Sequence, residues 1–202
     1  MPDRDASAPV ILSEGLLEEL ADRWRQQDAS IAGLLRTGLS HDEMDDLTAP
    51  IGITLPKEAR TWWGWHDGAF PALPSLAPAS LGPQLEFLPL ADAVRSCVEI
   101  REIMCGVDGQ LDPVWKYEWL PLTLGHLTLL DCSVAVDAPV PVRYYRFEEP
   151  ETGAEGVPSI GTLITLYIDA LDRGEWFFDH STDYWGYDET KANPATSHLH
   201  LT

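Results

Sequence analysis

The chain has 202 residues, 45% of them hydrophobic, and 13 Lys and Arg against 33 Asp and Glu, a formal charge of −20. That length and apolar content suit one domain with its own core. The charge repels nucleic acid and anionic membranes, which leaves a protein, most readily a basic one, as the favoured partner.

The start, MPDRDASAPV, is polar and proline-punctuated. Residues 1–10 are expected to be disordered and lack the pattern of a signal peptide. A single domain is expected over residues 11–187, with a loose tail over 188–202. The longest apolar-looking run, Trp119 to Leu130, is broken by Pro121, Gly125 and His126 and is too short to span a bilayer. Cys97, Cys105 and Cys132 are odd in number and match no zinc or redox spacing, so they read as free thiols of a reducing compartment. A soluble, cytoplasmic protein is the expectation.

Leu16, Leu20, Trp24, Ile31, Leu34 and Leu35 predict a first helix from Ser13 to Arg36, ended by Gly38. Ser40 and Glu43 form an S-x-x-E capping box that opens a short helix through Leu47. Its Asp42, Glu43, Asp45 and Asp46 sit toward the positive end of the helix dipole. Pro56 then starts a tryptophan-rich helix to Asp67, in which Trp62, Trp65 and His66 share a face. Gly68 marks its stop. Pro71, Pro74, Pro78 and Pro83 make the next stretch a loop.

Phe87 to Leu90 reads as a short strand, and Asp92 to Met104 as a helix. Leu127 to Asp131 is a buried strand, and Val140 to Phe147 a second whose start is confined by Pro139 and Pro141. The clearest helix is Ser159 to Leu171. Ser159 caps it, and Ile160, Leu163, Ile164, Tyr167, Ile168 and Leu171 line one stripe. Gly174 ends it, and Trp176 to Phe178 form a last strand or a hydrophobic plug. Helices first, strands in the middle and a late helix give an α+β fold with a mainly antiparallel or mixed sheet.

No catalytic set is expected. Adjacent helical residues diverge by about 100°, so His66 and Asp67 do not converge on one atom. His66 is read as packing beside the tryptophans and Asp67 as bonding turn amides. His180 with Asp179 and Asp183, and the pair His198 and His200, lack a third ligand at motif spacing and read as solvated loop residues; His126 reads as a turn residue. No G-x-S-x-G, Walker loop or G-x-G-x-x-G occurs. No cofactor and no metal are expected. Glu148, Glu149 and Glu151 flank Pro150 as a solvated loop or as an anionic patch for a basic partner. With Asp42, Glu43, Asp45, Asp46 and Trp185 they are the candidate partner-binding residues. The acidity has a second reading, as a device for solubility or the mark of a generally acidic proteome.

The ordered pieces Leu55-Pro56, His66-Asp67-Gly68, Trp119-Leu120-Pro121-Leu122, Gly125, Leu129-Leu130-Asp131 and the serine-capped late helix resemble the SUKH superfamily. That group holds fungal cell-wall assembly regulators and bacterial toxin-immunity proteins. The resemblance spans roughly residues 12 to 175. It departs at Asp67, where members more often carry Asn, and in the proline-rich segment and the aromatic stretch after Gly174. It implies an α+β fold and a non-enzymatic protein-binding module: an immunity protein that neutralises a cognate toxin such as a nuclease. A regulatory scaffold of the same fold is the alternative, and an unrecognised hydrolase the less favoured one.

Overall fold

The computed structural model describes residues 8–70, 80–82, 85–106, 109–113, 115–123, 127–145 and 156–193. They form an α+β fold of five α-helices, an antiparallel four-stranded sheet and short hairpins. Helix α1 (Glu14–Gln26) is capped by the Ser13 hydroxyl, which accepts from the Leu16 amide. It buries Leu17, Leu20, Ala21 and Trp24. The single helix expected to Arg36 breaks here. Asp28 adopts φ 49°, and a separate 3₁₀ turn follows at Ser30–Gly33. A left-handed residue ends a helix whatever the apolar spacing beyond it, and aspartate tolerates that region better than most side chains.

Helix α2 (His41–Thr48) carries the expected capping box in both directions between Ser40 and Glu43. Helix α3 (Lys57–Trp65) begins after Pro56 and buries Glu58, Ala59, Trp62 and Trp63. A two-stranded ribbon, β1 (Ser80–Gly82) and β2 (Leu85–Glu86), precedes helix α4 (Leu90–Met104). The strand expected at Phe87 to Leu90 is absent. Those residues lead into α4, held by the Phe87 carbonyl accepting from the Ala69 amide and the Leu88 carbonyl from the Trp63 indole. The mostly apolar run was right, but its backbone partners are a turn and a side chain instead of a neighbouring strand.

The main sheet runs β3 (Trp119–Thr123), β4 (Leu127–Asp131), β5 (Val142–Tyr145), β6 (Gly156–Val157), each antiparallel to the next. Pro121 is tolerated because β3 is an edge strand and the register shifts just beyond it. Strand alternation divides the side chains. Leu120, Leu122, Leu130, Val142, Tyr144 and Val157 join the main core beneath α1, α3 and α5. Trp119, Leu129 and Tyr145 point the other way and close a smaller core with Ile100 and Trp115.

Helix α5 (Ile160–Asp172) is opened by Ser159, whose hydroxyl accepts from the Thr162 amide, and its apolar stripe is buried. Strands β7 (Trp176–Asp179) and β8 (Tyr184–Tyr187) then form a hairpin seated on α5 through Trp176 and Tyr167, 5.1 Å apart. The chain beyond it remains bound as far as Asn193. Asp188 donates its amide to Glu175, Lys191 reaches the Gly174 carbonyl, and the Asn193 amide reaches the Glu175 carboxylate. Residues 194–202 of the expected tail, and residues 1–7, lie outside the described part.

Candidate partner-binding surface

The motif residues that stand out in the sequence face inward. His66 donates Nδ1–H to the Arg36 carbonyl at 2.6 Å and lies edge-on to Trp65 at 4.3 Å. Asp67 is buried and accepts the Leu90 amide at 2.7 Å, so it caps α4 across 23 residues of sequence. Arg36 sits 3.5 Å from its other oxygen. Gly68 has φ 74°, and a Cβ there would lie 2.5 Å from the Pro89 nitrogen. The turn needs glycine twice over, for its backbone angle and for the close approach of the α4 lead-in. These three residues thus lock α3 to α4 and expose no reacting group.

Glu58 makes the same point more strongly. Its carboxylate is 2% exposed and accepts three amides: Leu12 at 2.7 Å, Val140 at 2.6 Å and Gly161 at 3.2 Å. A buried carboxylate without donors is very costly, and this one is fully engaged. Gly161 lets the N-terminal strap cross α5 closely, since a Cβ would lie 2.3 Å from the Val10 carbonyl oxygen. Asp131, at the end of β4, is 3% exposed. Burial alone would raise its carboxyl, but the Ser133 hydroxyl and the Lys116 ammonium outweigh that and hold it below the usual carboxylate range.

The candidate surface residues divide. Asp42 and Asp46 are exposed on α2 with no ion pair. Asp45 is exposed but tied to Arg60. Glu43 is spent on the helix cap, where the Ser40 hydroxyl and then the Ser40 amide lower its carboxyl. Glu148, Glu149 and Glu151 lie outside the described residues, as do His126, His198 and His200. Trp185 is corrected. It is 5% exposed and packs edge-on against Phe178 at 5.3 Å, so its ring is not a surface anchor. It falls on the inner side of β8 because its cross-strand partner, Phe178, faces the core. The other tryptophans are buried as well, save Trp65, which is half-buried.

His180 packs against Phe178, and Asp179 is occupied by Ser181. Among the described residues, no three His, Cys, Asp or Glu side chains gather into a metal-binding group. Nor is any helix there long and apolar enough to cross a membrane.

Carboxylates outnumber cations at the surface, and most of the described cations are paired. Every described arginine except Arg101 is ion-paired with a carboxylate of the chain, as are Lys116 and Lys191. Arg101 instead donates to the carbonyls of Ile51 and Tyr117. The surplus carboxylates are therefore left facing outward. Glu99 and Glu102 are exposed on α4 without an ion pair, and Val98 (40%) and Ile103 (69%) are exposed to either side of them, about 140° apart around the helix. The sequence alone suggests Val94, Val98 and Arg101 as the spaced residues of this helix, whereas the buried ones are Leu90, Ala93, Ser96, Cys97 and Ile100. The signal was present: Leu90, Ala93, Cys97 and Ile100 form the buried stripe of α4, and Val98 and Ile103 fall off it.

No family model matches the chain, and no curated protein is significantly similar to it.

Proposed function

We propose that this chain is a non-enzymatic protein-binding module, an immunity protein of SUKH type that acts in the cytoplasm by covering a basic toxin domain. The observation that carries the proposal is the disposition of charge. Among the described residues every cation but Lys57 is engaged in an ion pair or a carbonyl bond of the chain, while Asp42, Asp46, Glu99 and Glu102 are exposed without an ion pair. A nuclease must hold phosphates with Lys and Arg, and a shaped anionic surface competes for those groups. The residues that carry the family resemblance support the reading in a different way. His66, Asp67, Gly68 and Asp131 hold elements together, as a framework does, and leave the exterior to recognise the partner.

Co-expression with the toxin encoded in the adjoining reading frame tests the proposal. Growth should be rescued, and the two proteins should purify as a 1:1 complex that salt weakens. No rescue together with no complex rejects it.

A further inference from the structure

We infer that the outer face of the β7–β8 hairpin is where a partner docks, and that it receives an arginine side chain of a basic protein. The inference rests on the reading of the chain as a binder of a basic protein, and it names the face and the residue that face takes.

The register fixes what this face carries. Phe177 pairs with Gly186, and Asp179 with Tyr184. Paired residues of an antiparallel ladder point the same way, and so do residues two apart on one strand. These four therefore share one face. Trp176, Phe178 and Trp185 lie on the other and are buried in the main core. Their packing fixes which way the hairpin faces, since a slip of one residue would turn all three outward. On the outside, Phe177 is 42% and Tyr184 43% exposed. The Phe177 ring lies over Gly186, where a Cβ would come within 2.3 Å of it. The glycine thus gives the ring a floor across the ladder, and the ring still reaches solvent.

Charge complementarity selects the occupant. Asp179 stands directly across from Tyr184, about 5 Å away by ordinary ladder spacing. Its Oδ1 accepts from the Ser181 amide and hydroxyl. Asp183, at φ 54° in the turn, accepts the Ser30 hydroxyl at 2.5 Å. Among the described residues neither carboxylate meets a Lys or Arg. His180, the base in the turn, packs edge-on against the inner ring Phe178. An exposed ring beside an unpaired carboxylate suits a guanidinium, whose plane stacks on the ring while its edge donates to the carboxylate. An ammonium has no such plane. Gln27, at the end of α1, accepts the Phe178 amide at 2.8 Å and occupies that edge of β7, which leaves the face as the approach. A second copy fits poorly. It brings the same −20 charge, and its described arginines are committed to carboxylates or, for Arg101, to carbonyls. A nucleic acid would bring phosphates to Asp179 and Asp183.

The probe is the peptide acetyl-Gly-Arg-Gly-amide, compared with peptides carrying lysine or citrulline in place of arginine. Binding is read from backbone amide shifts in titrations at about 0.15 M salt, which screens the general attraction of so acidic a chain. The arginine peptide should give saturable shifts at Phe177, Asp179, Tyr184 and Gly186. It should bind about threefold or more tighter than the lysine peptide, and about fivefold or more tighter than the uncharged citrulline peptide. Phe177→Leu with Tyr184→Leu keeps apolar surface and removes the rings, and should weaken binding about fivefold. Asp179→Asn should weaken it about threefold. Asp137→Asn removes the same charge at an exposed site elsewhere and should cost less than about 1.5-fold. Circular dichroism confirms that each variant is folded, and the three-peptide comparison needs no variant. Shifts spread over other acidic surfaces, equal binding of the three peptides, no loss from the leucine pair, equal losses from Asp179→Asn and Asp137→Asn, or self-association through this face would each overturn the inference.

The two readings fail separately. If the Phe177→Leu, Tyr184→Leu protein still neutralises and binds a toxin as tightly as before, the immunity function stands and this face is wrong. If the peptide results hold while no toxin is neutralised, the face stands and its biological use is different.

Discussion

Glu58 and Glu99 are the same side chain put to opposite uses. Glu58, on α3, is buried and spends both oxygens on three amides from distant parts of the chain. Glu99, on α4, is exposed and has no ion pair within the chain. The contrast extends to their regions. Around α3, carboxylates replace missing backbone partners: Asp67 caps α4, and Glu58 joins the N-terminal strap to the start of α5. Asp42 and Asp46 on α2, and Glu99 and Glu102 on α4, are exposed and pair with no cation of the chain. In this acidic chain a carboxylate's burial and partners, more than its presence, separate scaffold from surface.

Variants should sharpen that division. The largest effect belongs to Glu58→Ala, which strands three buried amides at once. A loss of about 3–5 kcal/mol in urea unfolding is expected, a large share of a typical domain's stability. A loss below about 1 kcal/mol would show that the strap and α5 hold without it. Next is Gly68→Ala, which sets a Cβ against the Pro89 nitrogen at a positive φ. About 2–3 kcal/mol should be lost, with α3 and α4 forced apart at their junction.

Asp131 tests the same idea through pH. Its folded carboxyl is held below its ordinary value, so its contribution is complete above the unfolded value of about 4 and is lost as pH falls through the lower folded value. Asp131→Asn should therefore lower the urea midpoint at neutral pH and flatten the decline on the acid side. Identical acid limbs in the two proteins would remove Asp131 from that account. The smallest effect is expected on the outer face. Glu99→Gln with Glu102→Gln should change stability by less than about 0.5 kcal/mol, since those side chains support nothing internal. A loss as large as that from Gly68→Ala would erase the contrast.

Local chemistry made much of the fold legible. The capping box of α2, the serine cap and apolar stripe of α5, and the buried strand β4 are all signalled within a few residues. Of the misses, one is local and the others depend on remote partners. Asp28 breaks the first helix through its backbone angle while the apolar spacing runs on. β3 hides behind Pro121, which only its edge position permits. β8 and the inward placing of Trp185 depend on pairing with β7. The candidate surface was half legible. Asp42 and Asp46 point outward as a polar helix face should, but tryptophans gave no sign of which side they serve. The outward positions of α4 needed the buried stripe to be fixed first, because only then do Val98 and Ile103 stand out.

The three bonds to Glu58 also bear on kinetics. They link residues 46, 82 and 103 positions apart in the chain. Closing such long loops is entropically expensive, so this junction is expected to assemble late, after local helices and the sheet hairpin. In a chevron experiment Glu58→Gln should then steepen escape from the native state, raising the unfolding rate while leaving the refolding rate nearly unchanged. The carboxylate would act as a latch set after the body has formed, governing how long the assembled molecule lasts more than how fast it is made.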